Sequence, residues 1–115
     1  MRAKLIEISS DEIDVRDYSG DVSDEFCITL RLRIGVETAI GADNFEVYVC
    51  NLKWLENRVH TPFLGAGFLF VRDYDFKKIE ATVLELISKC SGSDWNVIGN
   101  KLARYFLWEF SDYEK

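Results

Sequence analysis

Cys27, Cys50, Cys90 and His60 are the side chains of this 115-residue chain best suited to nucleophilic or metal chemistry. A thiolate becomes a working nucleophile when a neighbouring base or positive charge lowers its pKa. A zinc site needs four ligands, commonly drawn from cysteines a few residues apart. No two of the cysteines stand at such a spacing, and a metal site would have to enlist His60, which sits beside Thr61-Pro62 in a turn-forming stretch. The odd cysteine count leaves at least one thiol free even if two pair, and buried small thiols in a reducing cytoplasm are the expectation. The chain contains no glycine-rich phosphate loop and no nucleophile elbow. It is therefore expected to have no catalytic residue, no metal and no cofactor. An enzyme built on Cys27, Cys50 or His60 would reveal itself by rapid labelling of a thiol with a depressed pKa.

Carboxylates are the abundant charged groups. Twenty Asp and Glu oppose fourteen Lys and Arg, giving a net charge of −6. An average field of that sign repels nucleic-acid phosphates and anionic lipid, so neither is an expected partner. The imbalance is local. Residues 7–25 hold Glu7, Asp11, Glu12, Asp14, Asp17, Asp21, Asp24 and Glu25 against Arg16 alone, a net of −7 that leaves +1 for the remainder. Paired carboxylates do acid–base work where an apolar pocket raises one pKa, and no such pocket is legible around these. The stretch reads either as a solvated loop or as a docking surface for a basic partner, with Asp11, Asp14, Asp17, Asp21 and Asp24 as the contact candidates. Trp54, Trp95 and Trp108 all suit a core; Trp54 and Trp108 flank less regular segments and are the candidate interface aromatics.

The elements that must position these groups fit one domain spanning residues 1–115. With 48% hydrophobic and 14% aromatic residues, a chain of this length buries roughly two thirds of its unfolded surface without metal or disulfide. Its longest apolar runs fall far short of the roughly 18 residues of a membrane span, and no signal-peptide pattern opens it. Lys4-Leu5-Ile6-Glu7-Ile8 reads as a first strand, followed by the acidic loop. Phe26, Ile28, Leu30, Leu32, Ile34 and Val36 then alternate with polar residues, as do Phe45, Val47 and Val49 after the break at Gly41-Ala42-Asp43-Asn44, predicting an antiparallel hairpin. On the polar face, Arg31 and Arg33 are placed to meet Glu46. Asn51 caps a short helix, and residues 63–71, apolar on both faces, predict an inner strand with a bulge or close approach at Gly65 or Gly67. Asp75 caps an amphipathic helix closed by Gly92. Ser93 or Asp94 caps another bearing Trp95, Ile98, Leu102, Tyr105 and Phe106 on one stripe, and residues 107–110 form a terminal edge strand or packed tail. The expected class is α+β: an antiparallel sheet of about four to five strands on two C-terminal helices, with a short helix after the third strand.

Two blocks of these residues resemble the immunity protein 8 family, small antidotes of bacterial contact-dependent and polymorphic toxin systems. One is Phe45-Glu46-Val47-Tyr48-Val49-Cys50 followed by Lys53-Trp54-Leu55. The other runs from Tyr74-Asp75 and Ile79 through Cys90-Ser91-Gly92-Ser93-Asp94-Trp95 to Leu102-Ala103-Arg104-Tyr105 and Trp108-Glu109-Phe110-Ser111-Asp112-Tyr113. The resemblance covers the chain from about Phe45 onward. It implies a non-enzymatic cytoplasmic protein that binds a cognate toxin domain and blocks its active site or substrate access. The shared residues coincide with the expected core, so no binding residue is carried across. A general interaction module or small subunit of another cytoplasmic complex is the alternative. Oligomeric state is not encoded in any recognisable motif, and a monomer is the default.

Overall fold

Strict alternation of apolar and polar residues lays down the central strands, and the computed structural model, which describes residues 1–20 and 23–110, follows that pattern closely. In chain order the elements are β1 (Ala3–Ser9), β2 (Cys27–Val36), β3 (Asp43–Asn51), α1 (Leu52–Arg58), β4 (Phe68–Val71), α2 (Phe76–Ser88), α3 (Trp95–Leu102) and β5 (Leu107–Trp108). Asp21, one of the candidate contact carboxylates, lies outside the described residues, as do Ser111, Asp112 and Tyr113 of the terminal motif. The class is α+β, with a five-stranded sheet in the order β1-β2-β3-β4 and β5 also paired to β3.

The hairpin forms as its periodicity requires: β2 and β3 run antiparallel with Leu30 opposite Val47 and Leu32 opposite Phe45. The inward residues Leu30, Leu32, Ile34, Phe45, Val47 and Val49 are essentially removed from solvent and form one core with Ile79, Val83 and Ile87 of α2 and Ile98 and Leu102 of α3. Both helices start where carboxylate caps permit, Asp75 accepting from the Lys78 N–H and Asp94 from the Val97 N–H. The opposite face of the sheet has no such cover. Arg33 stands exposed on it, while Arg31, Glu46 and Tyr48 are half-buried.

The structure departs from the sequence expectations in several respects, one being that α3 ends at Leu102 and leaves Tyr105 and Phe106 in the turn that follows it. The sheet is mixed, not purely antiparallel, because α1 and its connection form a crossover that returns β4 parallel to β3. Only Phe68–Val71 of the apolar stretch 63–71 is strand, and it lies at the sheet edge instead of inside it. The stretch is apolar on both sides because Leu69 and Val71 pack on the core while Phe68 stacks on Trp54, with ring centroids 5.8 Å apart. Helix α2 ends on Lys89 in a right-handed turn, its N–H reaching Ile87 and Leu86, and Gly92 serves a close approach to Val97. Cys27 and Cys50, opposite each other in the β2–β3 register with Cα atoms 4.0 Å apart, form a disulfide where free thiols were expected; Cys90 is the free, buried one.

The close approach anticipated near Gly67 is present. Its φ is +76°, and an added Cβ would meet the Leu107 side chain at 2.7 Å. This is where β4 and β5 divide one edge of β3 between them, β4 pairing with residues 48–51 and β5 with residues 45 and 46.

Asn51, buried to 1% exposure, joins β3 to α1. Its Oδ1 accepts from the Trp54 N–H at 3.0 Å and the Phe26 N–H at 3.2 Å, and its Nδ2 donates to the Asp24 carbonyl. Replacing Asn51 with Ala removes the cap and takes the side-chain partner from the buried Phe26 N–H and from the part-buried Trp54 N–H and Asp24 carbonyl, so it should lower unfolding free energy by about 3 kcal/mol. Urea denaturation would show this as a lower midpoint at an unchanged slope.

Candidate functional site

The acidic segment is anchored, although its described carboxylates are exposed. Val15 is buried, and its carbonyl accepts from the Tyr74 hydroxyl at 2.8 Å; the Tyr74 N–H in turn donates to the Gly20 carbonyl at 2.7 Å. Tyr18, Phe26 and Tyr74 pack edge to face around this point, Tyr18 and Tyr74 with centroids 5.0 Å apart. The Arg16 guanidinium lies 4.8 Å over the Phe76 ring. Locally, the Asp14 carboxylate accepts from the Arg16 N–H at 3.1 Å, and the Asp14 carbonyl accepts from the Asp17 and Tyr18 N–H groups. The segment thus also caps the part of β2 that β1 does not reach, with the Glu12 carboxylate accepting from the Thr29 N–H at 2.7 Å.

The sequence-selected carboxylates are not equivalent. Asp11 is held in a forked pair with Arg31, the shorter contact being 2.8 Å, and that guanidinium keeps its carboxyl below the usual carboxylate range. Arg31 therefore bridges to Asp11, not to Glu46 as the hairpin register suggested. Asp14, Asp17 and Asp24 are exposed. Glu25, beyond the selected set, meets Asn57 and Arg58 of α1 at 3.3 Å, and Lys53 donates to the Ser23 carbonyl at 2.6 Å, so the exit of the segment runs along one flank of α1.

On the other flank of α1 an open apolar groove of about 450 Å³ is lined by Leu52, Leu55, Val59, Phe63 and Phe70, with Glu56 at its margin. Leu52 is 55% exposed, Phe63 49% and the neighbouring Leu64 92%. Sequence periodicity places Leu52 and Leu55 on one side of the helix, but helical spacing alone reads as a core stripe. The signal that marks this stripe as surface is the weakness of α1, two turns long and with no buried residue. Phe68 holds the floor together: Trp54 stacks on one side of it, Phe70 lies at 5.7 Å and Phe63 meets it edge-on at 5.4 Å.

The two candidate tryptophans separate here. Trp54 supports the groove through Phe68, with the Arg58 guanidinium 5.9 Å from its ring. Trp108 is built into the sheet: it stacks on Phe45 at 5.8 Å, lies against Gly99 where a Cβ would clash, and donates its indole N–H to Asp43 Oδ2 at 3.0 Å. Trp95 donates to the same oxygen at 2.8 Å. This double indole clamp was invisible in sequence, where Asp43 reads as a turn residue.

Burial pushes the Cys90 thiol up despite Lys101 and Arg104, and its Sγ donates to the Leu86 carbonyl. His60 stands exposed in the connection after α1. Among the described residues no cluster of three or more His, Cys, Asp or Glu side chains could hold a metal, and no helix is long and apolar enough to cross a membrane.

Comparison with known proteins returns one family, described as Immunity protein 8, whose sequence model matches residues 3–113. The match takes in the acidic segment and both flanks of α1 as well as the two motif blocks from Phe45 onward. No curated protein and no solved structure matches the chain.

Tyr74 anchors the acidic segment and titrates abnormally: burial, followed by the nearby Asp14 charge, raises its pKa to about 12. The unfolded chain releases this proton near pH 10, before the folded chain does, so the contribution is intact below pH 10 and is lost as pH rises towards 12. Tyr74→Phe should cost about 1 kcal/mol at neutral pH through the lost hydroxyl bond and remove this alkaline loss. Denaturation midpoints of the two proteins from pH 8 to 12 check both effects.

Proposed function

This chain belongs to the immunity protein 8 family, and from that premise we infer that it is an antitoxin whose whole length acts as one immunity domain. It binds the toxin domain of a polymorphic or contact-dependent system in the cytoplasm and blocks the active site or the path of the substrate. It performs no catalysis of its own and needs no cofactor. The observation that carries this reading is the family match over nearly the entire chain. The charge distribution and the apolar groove support it as features suited to a protein partner.

In this reading the acidic segment steers and the groove grips. Asp14, Asp17 and Asp24 project from a segment pinned by Tyr74, so their field has a fixed origin, and Asp21 extends the same charged run in sequence. Asp11, partly neutralised by Arg31, contributes less. A toxin with a basic substrate cleft, as in a nuclease, is the complementary partner. Trp54 and the groove residues supply the apolar centre of the contact. Trp108 serves by holding β5 to β3, not by touching the toxin.

The test is titration of the purified chain with the toxin domain encoded beside it, together with an assay of toxicity. Binding with a Kd of about 1 nM, equivalent to about −12 kcal/mol, and loss of toxicity are expected. A folded, active toxin that is neither bound nor neutralised would overturn the pairing. In stopped-flow mixing, the variant carrying Asp14→Asn, Asp17→Asn and Asp24→Asn should associate about tenfold more slowly at low salt and with a flatter salt dependence. Unchanged association kinetics would remove the segment from the interface.

A further inference from the structure

The sheet ends in β1 on one side and in β4, with β5 in line beside it along β3, on the other, and β1 and β4 are finished differently. β1 is blunted in the usual ways: its register shifts between Leu5 and Glu7, it carries the exposed charges of Lys4 and Glu7, and its start is tied to Gly92 by paired backbone bonds from Met1. β4 has none of these devices. Phe-Leu-Phe-Val contains no charge, no proline and no register shift against β3.

The backbone parity of β4 is set by the Tyr48 N–H, which donates to the Gly67 carbonyl at 2.8 Å. In a parallel ladder that contact turns the main-chain groups of Leu69 and Val71 towards β3 and those of Phe68 and Phe70 towards the open edge. A groove runs along each side of this edge. On the α1 side lies the apolar groove of about 450 Å³; on the α2 side, one of about 290 Å³ where Arg72, Asp73, Asp75 and Lys78 stand over Leu69 and Ile79.

We propose that an extended segment of the toxin domain adds to the sheet as a strand beside β4, exchanging main-chain hydrogen bonds with Phe68 and Phe70. The proposal rests on the antitoxin reading and specifies how its interface is built. Residues along an added strand alternate between the two sides of the sheet, and the two grooves differ in the same sense. The captured segment is therefore amphipathic: its apolar side chains enter between Leu52, Val59 and Phe63, and its charged ones face Asp73 and Lys78. A second copy of this chain is the poorer occupant, because each copy carries a net charge of −6.

The test compares Phe70→Ala with Phe70→Pro in titrations against the toxin domain encoded beside this chain. Both variants lose the ring from the groove, and only the proline loses an N–H that faces the open edge and takes no part in the β3 ladder. Circular dichroism and thermal melting establish that both are folded. Phe70→Ala should weaken binding about tenfold and Phe70→Pro about a further tenfold, with the Phe68 and Phe70 amides of the wild type becoming protected from hydrogen exchange in the complex. Equal affinities of the two variants, or unchanged exchange at both amides, would overturn the added strand while leaving the antitoxin reading intact. Absence of wild-type binding would instead overturn that reading and this inference with it. A wild-type dimer that Phe70→Pro dissolves in the absence of toxin would identify a second copy as the occupant and overturn the proposal.

Discussion

Main-chain groups from three segments converge on the side chain of Asn51: the N–H of Phe26 at the entry to β2, the N–H of Trp54 in α1, and the carbonyl of Asp24 at the exit of the acidic segment. A buried amide can satisfy donors and acceptors at once, and no other side chain of that length offers both without a charge. The direction in which α1 leaves β3 follows from this junction. So do the position of the acidic segment along one flank of α1 and the opening of the apolar groove along the other. Helix α1 is too short to hold itself together and has no buried face, so its place is set by its capped end and by Trp54 stacked on Phe68.

The sheet divides labour between its faces. One face is closed by α2 and α3 over a continuous apolar core, and stability resides there. The other carries the Arg31–Asp11 pair, Tyr48 and the stacked aromatic rings beside α1. A surface of this kind can vary with a partner while the core stays constant. In this chain the Cys90-to-Trp95 stretch belongs with the core face, Cys90 lying in the core and Trp95 packed against it.

Local signals in the sequence translated well into structure. The alternation from Phe26 to Val49 set the β2–β3 hairpin, and Asn51, Asp75 and Asp94 cap the helices that begin after them, because periodicity and capping act over a few residues. What depended on register between distant segments was not legible. The parallel return of β4, the pairing of Cys27 with Cys50, and the convergence of Trp95 and Trp108 on Asp43 each require two or more strands to be placed first. The candidate site shows the same split. Its acidic segment stood out as a charge run, whereas its apolar groove joins residues of a short helix to Phe63 and Phe70, which the strand pattern placed in the interior.

Because β4 and β5 share one edge of β3, the sheet is completed in a particular order during synthesis. The hairpin of β2 and β3 closes over a short turn as soon as both strands have emerged, but the edge at Phe45 and Glu46 waits for Leu107 and Trp108. Until then the nascent chain presents an unpaired β3 rim, and Asp43 lacks both indole donors. The ribosome must therefore deliver almost the whole described chain before this edge is sealed, and a polypeptide released early would keep an adhesive rim in place of a finished sheet.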